Sequence, residues 1–235
     1  VFREVESGAC HYGVVPVENS IEGVVNHTLD MLINSSLLIC GEVELRIHHH
    51  LLTRAKNLKQ IRQVYSHQQS LAQCRRWLDA HLLHAERIDV SSNAEAAQRV
   101  AKRRNAAAIA GESAAEYYDL PALYSNIEDH PDNTTRFLVL GAHDTARSGR
   151  DKTSILFSAP NRPGSLHEML ACFATPKVSM TRIESRPSRV GMWEYVFFVD
   201  IEGHVQDPKV VAALDKLRAA APMVKLLGSY PVAVL

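Results

Sequence analysis

The chain has 235 residues, 46% of them hydrophobic and 22% charged, and its 26 Lys+Arg balance its 26 Asp+Glu to a formal net charge of +0. This is the makeup of an ordinary globular protein, long for one domain and comfortable for two, with no basic excess for nucleic acid and no apolar run of membrane-spanning length. The four cysteines, Cys10, Cys40, Cys74 and Cys172, are scattered without CxxC spacing, which points to a reducing, cytoplasmic setting rather than a disulfide frame or a zinc knuckle.

Val1-Phe2-Arg3-Glu4-Val5 reads as the middle of a helix without an initiator Met, so the chain is expected to start inside a longer protein. Gly8 is the stop of that helix. Tyr12–Val17 is a short apolar run of strand length, ending in Glu18-Asn19-Ser20. The spacing of Val25, Leu29, Leu32 and Ile33 predicts a helix over 24–35. From Leu37 to Arg54 the pattern is extended, with Val43, Leu45 and Ile47 alternating with Glu44 and Arg46.

Strands are predicted at 61–66, 85–90 and 106–110. Each leads into a helix, with Leu71, Cys74 and Leu78 on the first and a Ser92/Glu95 capping-box spacing on the second. Gly111-Glu112-Ser113 opens the third. Strand–helix alternation of this kind predicts right-handed βαβ units and a mainly parallel sheet.

The polar stretch 146–151 is a candidate linker. Beyond it the order becomes strand (153–158), helix (163–174), strand (179–185), strand (193–201), helix and strand (224–228). Asp207 is the N-cap and Pro208 the first residue of that second helix. This βαββαβ order is the ferredoxin-like plan. Trp193 and Tyr195 are expected to pack within it. His48 and His50 would share a face of a strand, but no third ligand is evident, so no metal and no cofactor are expected.

Four polar groups stand at strand ends: Glu18-Asn19-Ser20, Ser66-His67 with Gln73 further on, Gly111-Glu112-Ser113, and Asn133-Thr134-Thr135-Arg136 before the apolar run 137–141. Any one of them could be simple capping. Together, at the mouths of α/β strands where helix N-termini offer free N–H groups, they favour a small carboxylate ligand.

The motifs Val14-Val15-Pro16-Val17-Glu18-Asn19-Ser20, Tyr65-Ser66-His67 and Asn133-Thr134-Thr135-Arg136-Phe137 resemble those of the prephenate dehydratase family. Asn161-Arg162-Pro163-Gly164-Ser165-Leu166 and Glu184-Ser185-Arg186-Pro187 resemble those of ACT regulatory domains. The resemblance runs the length of the chain. It implies an α/β fold: a two-lobed, periplasmic-binding-protein-like catalytic domain over 1–146, with the chain crossing between lobes near 48–53 and 128–135, and an ACT domain over 152–235. It implies conversion of prephenate to phenylpyruvate, water and carbon dioxide in phenylalanine biosynthesis, with Thr135 as the essential donor, Arg136 as a carboxylate partner or a pin between the two lobes, and Glu18 as the less favoured proton source. Asn19, Ser20, Ser66, Gln73 and Thr134 would line the substrate cleft.

L-phenylalanine would act as feedback inhibitor at Asn161, Pro163, Gly164, Ser165, Leu166, Glu184, Ser185, Arg186 and Pro187, in a homodimer or higher oligomer joined through the ACT domain. The sequence departs from the family pattern in three places. A Gly-rich opening segment is not present, Ser165 replaces the usual Ala, and Thr175-Pro176-Lys177 replaces an Asn-Gly turn, which is expected to be rebuilt around Pro176. Whether the whole protein also carries a chorismate mutase domain stays open at this point. The competing reading is a non-catalytic binder of small carboxylates or amino acids.

Overall fold

The computed structural model describes residues 1–188 and 195–233. Trp193 lies outside them, and the strand expected from that position is described from Tyr195. The chain forms two compact units, one of Val1–Leu45 with Thr135–Leu235 and one of Arg46–Thr134. The stretch expected to be a linker, 146–151, therefore joins two segments of the same unit.

The first unit begins with α1 (Phe2–Glu6), closed by Gly8 at φ +74. It continues through β1 (Gly13–Asn19), β2 (Gly23–Val24), α2 (Asn26–Asn34) and β3 (Leu38–Arg46). Its strands join β9 (Thr134–Gly141) in a four-stranded sheet of order β2-β1-β9-β3. The parallel pairs expected from strand–helix alternation form only in the second unit, between the strands at Gln63–Ser66, Glu86–Asp89 and Ala106–Ala110, whereas β1 runs antiparallel to both β2 and β9 in this sheet. Helices flank it as predicted, but the chain returns to β1 from residue 134, across the whole of the second unit.

The remainder of this unit is the expected βαββαβ fold. It comprises β10 (Asp151–Ser158), α7 (Ser165–Ala174), β11 (Met180–Pro187), β12 (Tyr195–Glu202), α8 (Pro208–Ala220) and β13 (Met223–Pro231). Its four-stranded sheet has the order β11-β12-β10-β13. Helices α7 and α8 cover one face, around Ile155, Phe157, Phe173, Val199 and Leu214. The other face has no helices of its own. Its Leu156, Val196, Phe198, Leu227 and Tyr230 share one core with Val15, Val17, Leu29, Leu32, Ile39 and Leu138. At about 1.5–3 kcal/mol for each fully buried large apolar side chain, that shared core explains why the two sheets form a single unit.

The turn at 175–177 is not rebuilt around Pro176 as expected: Lys177 itself takes φ 56. Asp207 does precede α8, but its carboxylate makes no cap to the helix and accepts instead from the His204 N–H at 2.8 Å.

The second unit carries β4 (His50–Thr53), β5 (Gln63–Ser66), α3 (Gln68–Gln73), α4 (Arg75–His81), β6 (Glu86–Asp89), α5 (Asn93–Val100), β7 (Ala106–Ala110), α6 (Glu112–Tyr117) and β8 (Ala122–Tyr124). The five-stranded sheet has the order β6-β5-β7-β4-β8. β5 pairs in parallel with β6 and β7, while β4 is antiparallel to β7 and β8, so the sheet is mixed. The small side chains of β7 are all buried, which lets α5 pack close above them. Half of the predicted capping box forms: Ser92 Oγ accepts from Glu95 N at 3.1 Å, but Glu95 Oε2 reaches Ser91 N instead. Among the described residues no helix is long and apolar enough to cross a membrane.

Candidate active site

The site of the first unit begins with a proline. Pro16 has no N–H to give to the ladder, and the register of β1 against β9 shifts between Pro16 and Glu18. After the shift Glu18 stands opposite Arg136 and Asn19 opposite Thr135. The Asn19 side-chain oxygen accepts from the N–H groups of Ile21 and Glu22 at 2.9 and 3.0 Å. This fixes which end of the amide is which: Nδ2 must face Thr135, and it donates to Thr135 Oγ1 at 2.8 Å. The threonine oxygen is thus an acceptor from Asn19, and its own O–H remains to be donated.

Arg136 is fully engaged. It binds Glu42 Oε2 at 2.7 Å, Asp200 Oδ2 at 2.6 Å and the Tyr230 hydroxyl at 3.0 Å. Lys152 Nζ adds both oxygens of Glu42, at 2.8 and 2.9 Å. Burial disfavours the charged guanidinium, but Asp200, Tyr230 and Glu42 outweigh it, and the Arg136 pKa is raised. Burial raises that of the Tyr230 hydroxyl, keeping it a neutral donor. All of these partners lie in the first unit, so Arg136 ties β9 to β3 and to the βαββαβ sheet of that same unit. Each lone charge within an apolar strand signals a buried partner, as Asp200 does within 196–201, and the sequence reading passed over that signal.

Glu18 is partly exposed, and its Oε2 accepts from Arg182 Nε at 2.9 Å. Ser20 is exposed at the turn.

In the second unit Ser66 is completely buried, and its hydroxyl lies 2.7 Å from the Ile109 carbonyl and 2.9 Å from Asn93 Oδ1. It secures the turn into α3 rather than offering a hydroxyl at the surface. Gln73 is nearly buried, and its Oε1 accepts from His49 Nε2 at 2.8 Å and from Asn133 Nδ2 at 3.2 Å. The histidine that meets Gln73 is therefore the middle one of three, and it lies just before β4, which starts at His50. His48 instead pairs with Glu128 at 2.7 Å, and His50 Nδ1 accepts from Asn126 N. Thr134 Oγ1 donates to Asp132 O at 3.3 Å.

At the start of α7 a concavity of about 150 Å³ is lined by Asn161, Arg162, Ser165, Leu166, Tyr195 and Phe197, among others. Gly164 precedes the helix at φ +80, a conformation that suits glycine; no side chain caps the first turn, and Ser165 N–H donates to Arg162 O at 3.3 Å. The Ser165 hydroxyl is buried with no hydrogen-bond partner. Pro163 and Ser185 are exposed, Glu184 is half-buried, and Pro187 ends β11. Arg186 turns away from this concavity: its two terminal nitrogens bind Asn26 Oδ1 and Asp30 Oδ1, each at 2.6 Å.

Residues 1–145 match the family profile described as prephenate dehydratase, and residues 153–219 that of the ACT domain. Over 236 aligned residues the chain is 56% identical to the bifunctional chorismate mutase/prephenate dehydratase of Pseudomonas aeruginosa, covering 100% of this chain and 65% of that protein. Among solved structures, prephenate dehydratase from Arthrobacter aurescens in complex with L-Phe superposes with a TM-score of 0.88 at 36% identity, over 97% of this chain and 78% of that one. A protein described as a novel type of quorum quenching acylase superposes at 0.87 with 31% identity, over 98% and 85% of the two chains. The fold is thus the two-lobed α/β fold of these enzymes with its ferredoxin-like module. The chain belongs to the prephenate dehydratase family and carries an ACT domain in its C-terminal part.

Proposed function

We propose that the protein converts prephenate to phenylpyruvate, water and carbon dioxide, and that L-phenylalanine inhibits it through the ACT domain. The observation that carries this reading is the Thr135 hydroxyl, which accepts from Asn19 and keeps its own proton to give. As the carboxylate leaves, its bonding electrons enter the ring, the ring hydroxyl departs as water with an added proton, and the ring becomes aromatic. The aromatic product supplies the driving force. What the protein adds is a donor aimed at the oxygen on which charge develops. Thr135 fills that role, and Glu18, ion-paired with Arg182, is the less favoured source of the proton itself. Arg136 acts as a tie. Within the second unit Gln73 is the group we assign to ligand contact, because His49 and Asn133 set its amide.

The concavity at α7 suits the α-carboxylate of an amino acid, with Leu166, Tyr195 and Phe197 beside it for an aromatic side chain. β11 lies at a sheet edge, and we assign ACT-mediated homodimerisation to it. The setting is cytoplasmic. The test is direct: natural full-length protein is mixed with prephenate, and phenylpyruvate is followed with and without L-phenylalanine. Turnover that falls as L-phenylalanine rises supports the reading. Binding of prephenate without product would leave a non-catalytic binder and end the enzymatic proposal.

A further inference from the structure

The two faces of β11 do different things. Thr181, Ile183, Ser185 and Pro187 are exposed, and Arg182, Glu184 and Arg186 are half-buried. Both arginines leave their own sheet for the segment that carries Glu18. Arg186 grips α2 through Asn26 and Asp30, and Arg182 holds the Glu18 carboxylate itself. The Arg182 side chain is only 12% exposed. Its second terminal nitrogen is buried without a hydrogen-bond partner, beside a void of about 10 Å³ that Arg136 and Asp200 also line. Asp200 is the register partner of Arg182 across the sheet. A second carboxylate is therefore adjacent to a guanidinium that has an N–H to spare.

We propose that Arg182 is a positioning residue that sets the Glu18 carboxylate and carries the state of the effector site to the Thr135 site. The inference rests on the dehydratase and effector reading above. Phe197 lines the concavity at α7 and is the register partner of Ser185, which lies three residues from Arg182 on one strand, and neighbouring residues of a strand move together. A charge-assisted hydrogen bond of 2.9 Å does not survive a displacement approaching 1 Å. A ligand that shifts β11 therefore moves Arg182 between Glu18 and Asp200. Glu18 is next in the chain to Asn19, which orients Thr135, so the contacts run from β11 to Thr135 without a gap.

The experiment compares wild type, Arg182→Met and Arg182→Lys in natural full-length protein. L-phenylalanine binding is read by calorimetry, and turnover is measured without and with saturating L-phenylalanine. For Arg182→Met, binding should stay within about threefold of wild type while the inhibition ratio falls at least tenfold, about 1.4 kcal/mol of coupling. Arg182→Lys, which keeps the charge, should recover part of the ratio. Equal inhibition of Arg182→Met and wild type would overturn the inference alone, and so would parallel loss of binding and inhibition, which marks mere structural damage. A wild type that makes no phenylpyruvate or ignores L-phenylalanine would overturn the underlying reading as well. Should Arg182→Met not fold, Arg182→Gln, which also removes the charge, tests the same contact, and an inhibition ratio unchanged from wild type would count against it.

Discussion

Asn19 and Thr135 stand opposite each other on β1 and β9, and the asparagine amide donates to the threonine oxygen at 2.8 Å. Two backbone N–H groups fix that amide. The direction of one hydrogen bond therefore leaves the hydroxyl proton to be donated elsewhere. Thr135→Val keeps the shape and removes the donor. Turnover should fall about 10²- to 10³-fold, the effect of losing one donor to developing charge. Prephenate affinity should change far less, and the melting temperature little. A variant with more than a tenth of wild-type turnover would remove Thr135 from the chemistry.

Asp151 gives the clearest dependence on acidity. Its carboxylate is buried, which alone would raise its pKa, but the Ser148 hydroxyl at 2.7 Å and the N–H groups of Ser148 and Gly149 outweigh that and hold it below the ordinary value. A carboxylate depressed in the folded state adds stability above its unfolded pKa of about 3.9, and that stability is lost as pH falls through the folded value. Asp151→Asn should cost about 1–2 kcal/mol at pH 7. The gap to wild type, read from urea midpoints, should narrow only below about pH 4. A gap that closes already at pH 6 would point to another group.

Much of this was legible in the sequence, and the parts that were not share a physical cause. Periodicity located the helices and the βαββαβ order, because each of those elements has one apolar face. It gave the parallel pairing of β5 with β6 and β7 but not the antiparallel partners of β1. The partner of β1 arrives from residue 134, and no local pattern records a pairing across more than a hundred positions. It also expected the turn after α7 to avoid strain, yet Lys177 takes φ 56 between the Lys177 N–H on Ala174 O and the Val178 N–H on Phe173 O. Two backbone hydrogen bonds there hold a conformation that costs about 1 kcal/mol. For the site, the motifs marked Thr135, Asn19 and Glu18, but single-residue reading could not assign partners. Arg186 was expected at the effector and Arg136 at substrate or as a pin between lobes, and both bind acids or amides of the same unit.

Gly228 marks where the two sheets of the first unit come closest. Its φ is +150, and a Cβ built there would overlap the backbone of Ile39 on β3. Neither partner is a flexible side chain, so nothing can swing aside. Gly228→Ala should destabilise by about 3 kcal/mol or more, combining overpacking with an unfavourable backbone angle. The loss should appear in both halves of the unit together, as one unfolding transition shifted to lower denaturant. A change under about 1 kcal/mol would mean that the backbones separate easily.

Arg136 offers a test of whether a residue carried over as catalytic works instead as a tie. Its side chain is 12% exposed, Glu42 is at 0% and Asp200 at 6%, so the three charges are held largely away from water. Removing the guanidinium in Arg136→Met would leave Glu42 to Lys152 and Asp200 to the Ser154 hydroxyl. A buried pair broken from one side costs about 3–5 kcal/mol, because the remaining charge has lost its partner. Neutralising the buried carboxylate left without its guanidinium should return part of that loss, so Arg136→Met with Asp200→Asn should be more stable than Arg136→Met alone. A residue acting on substrate predicts the reverse ordering of effects: wild-type stability, lost prephenate binding and no recovery in the double variant. Denaturation midpoints for the two variants, measured beside their prephenate affinities, separate the two roles.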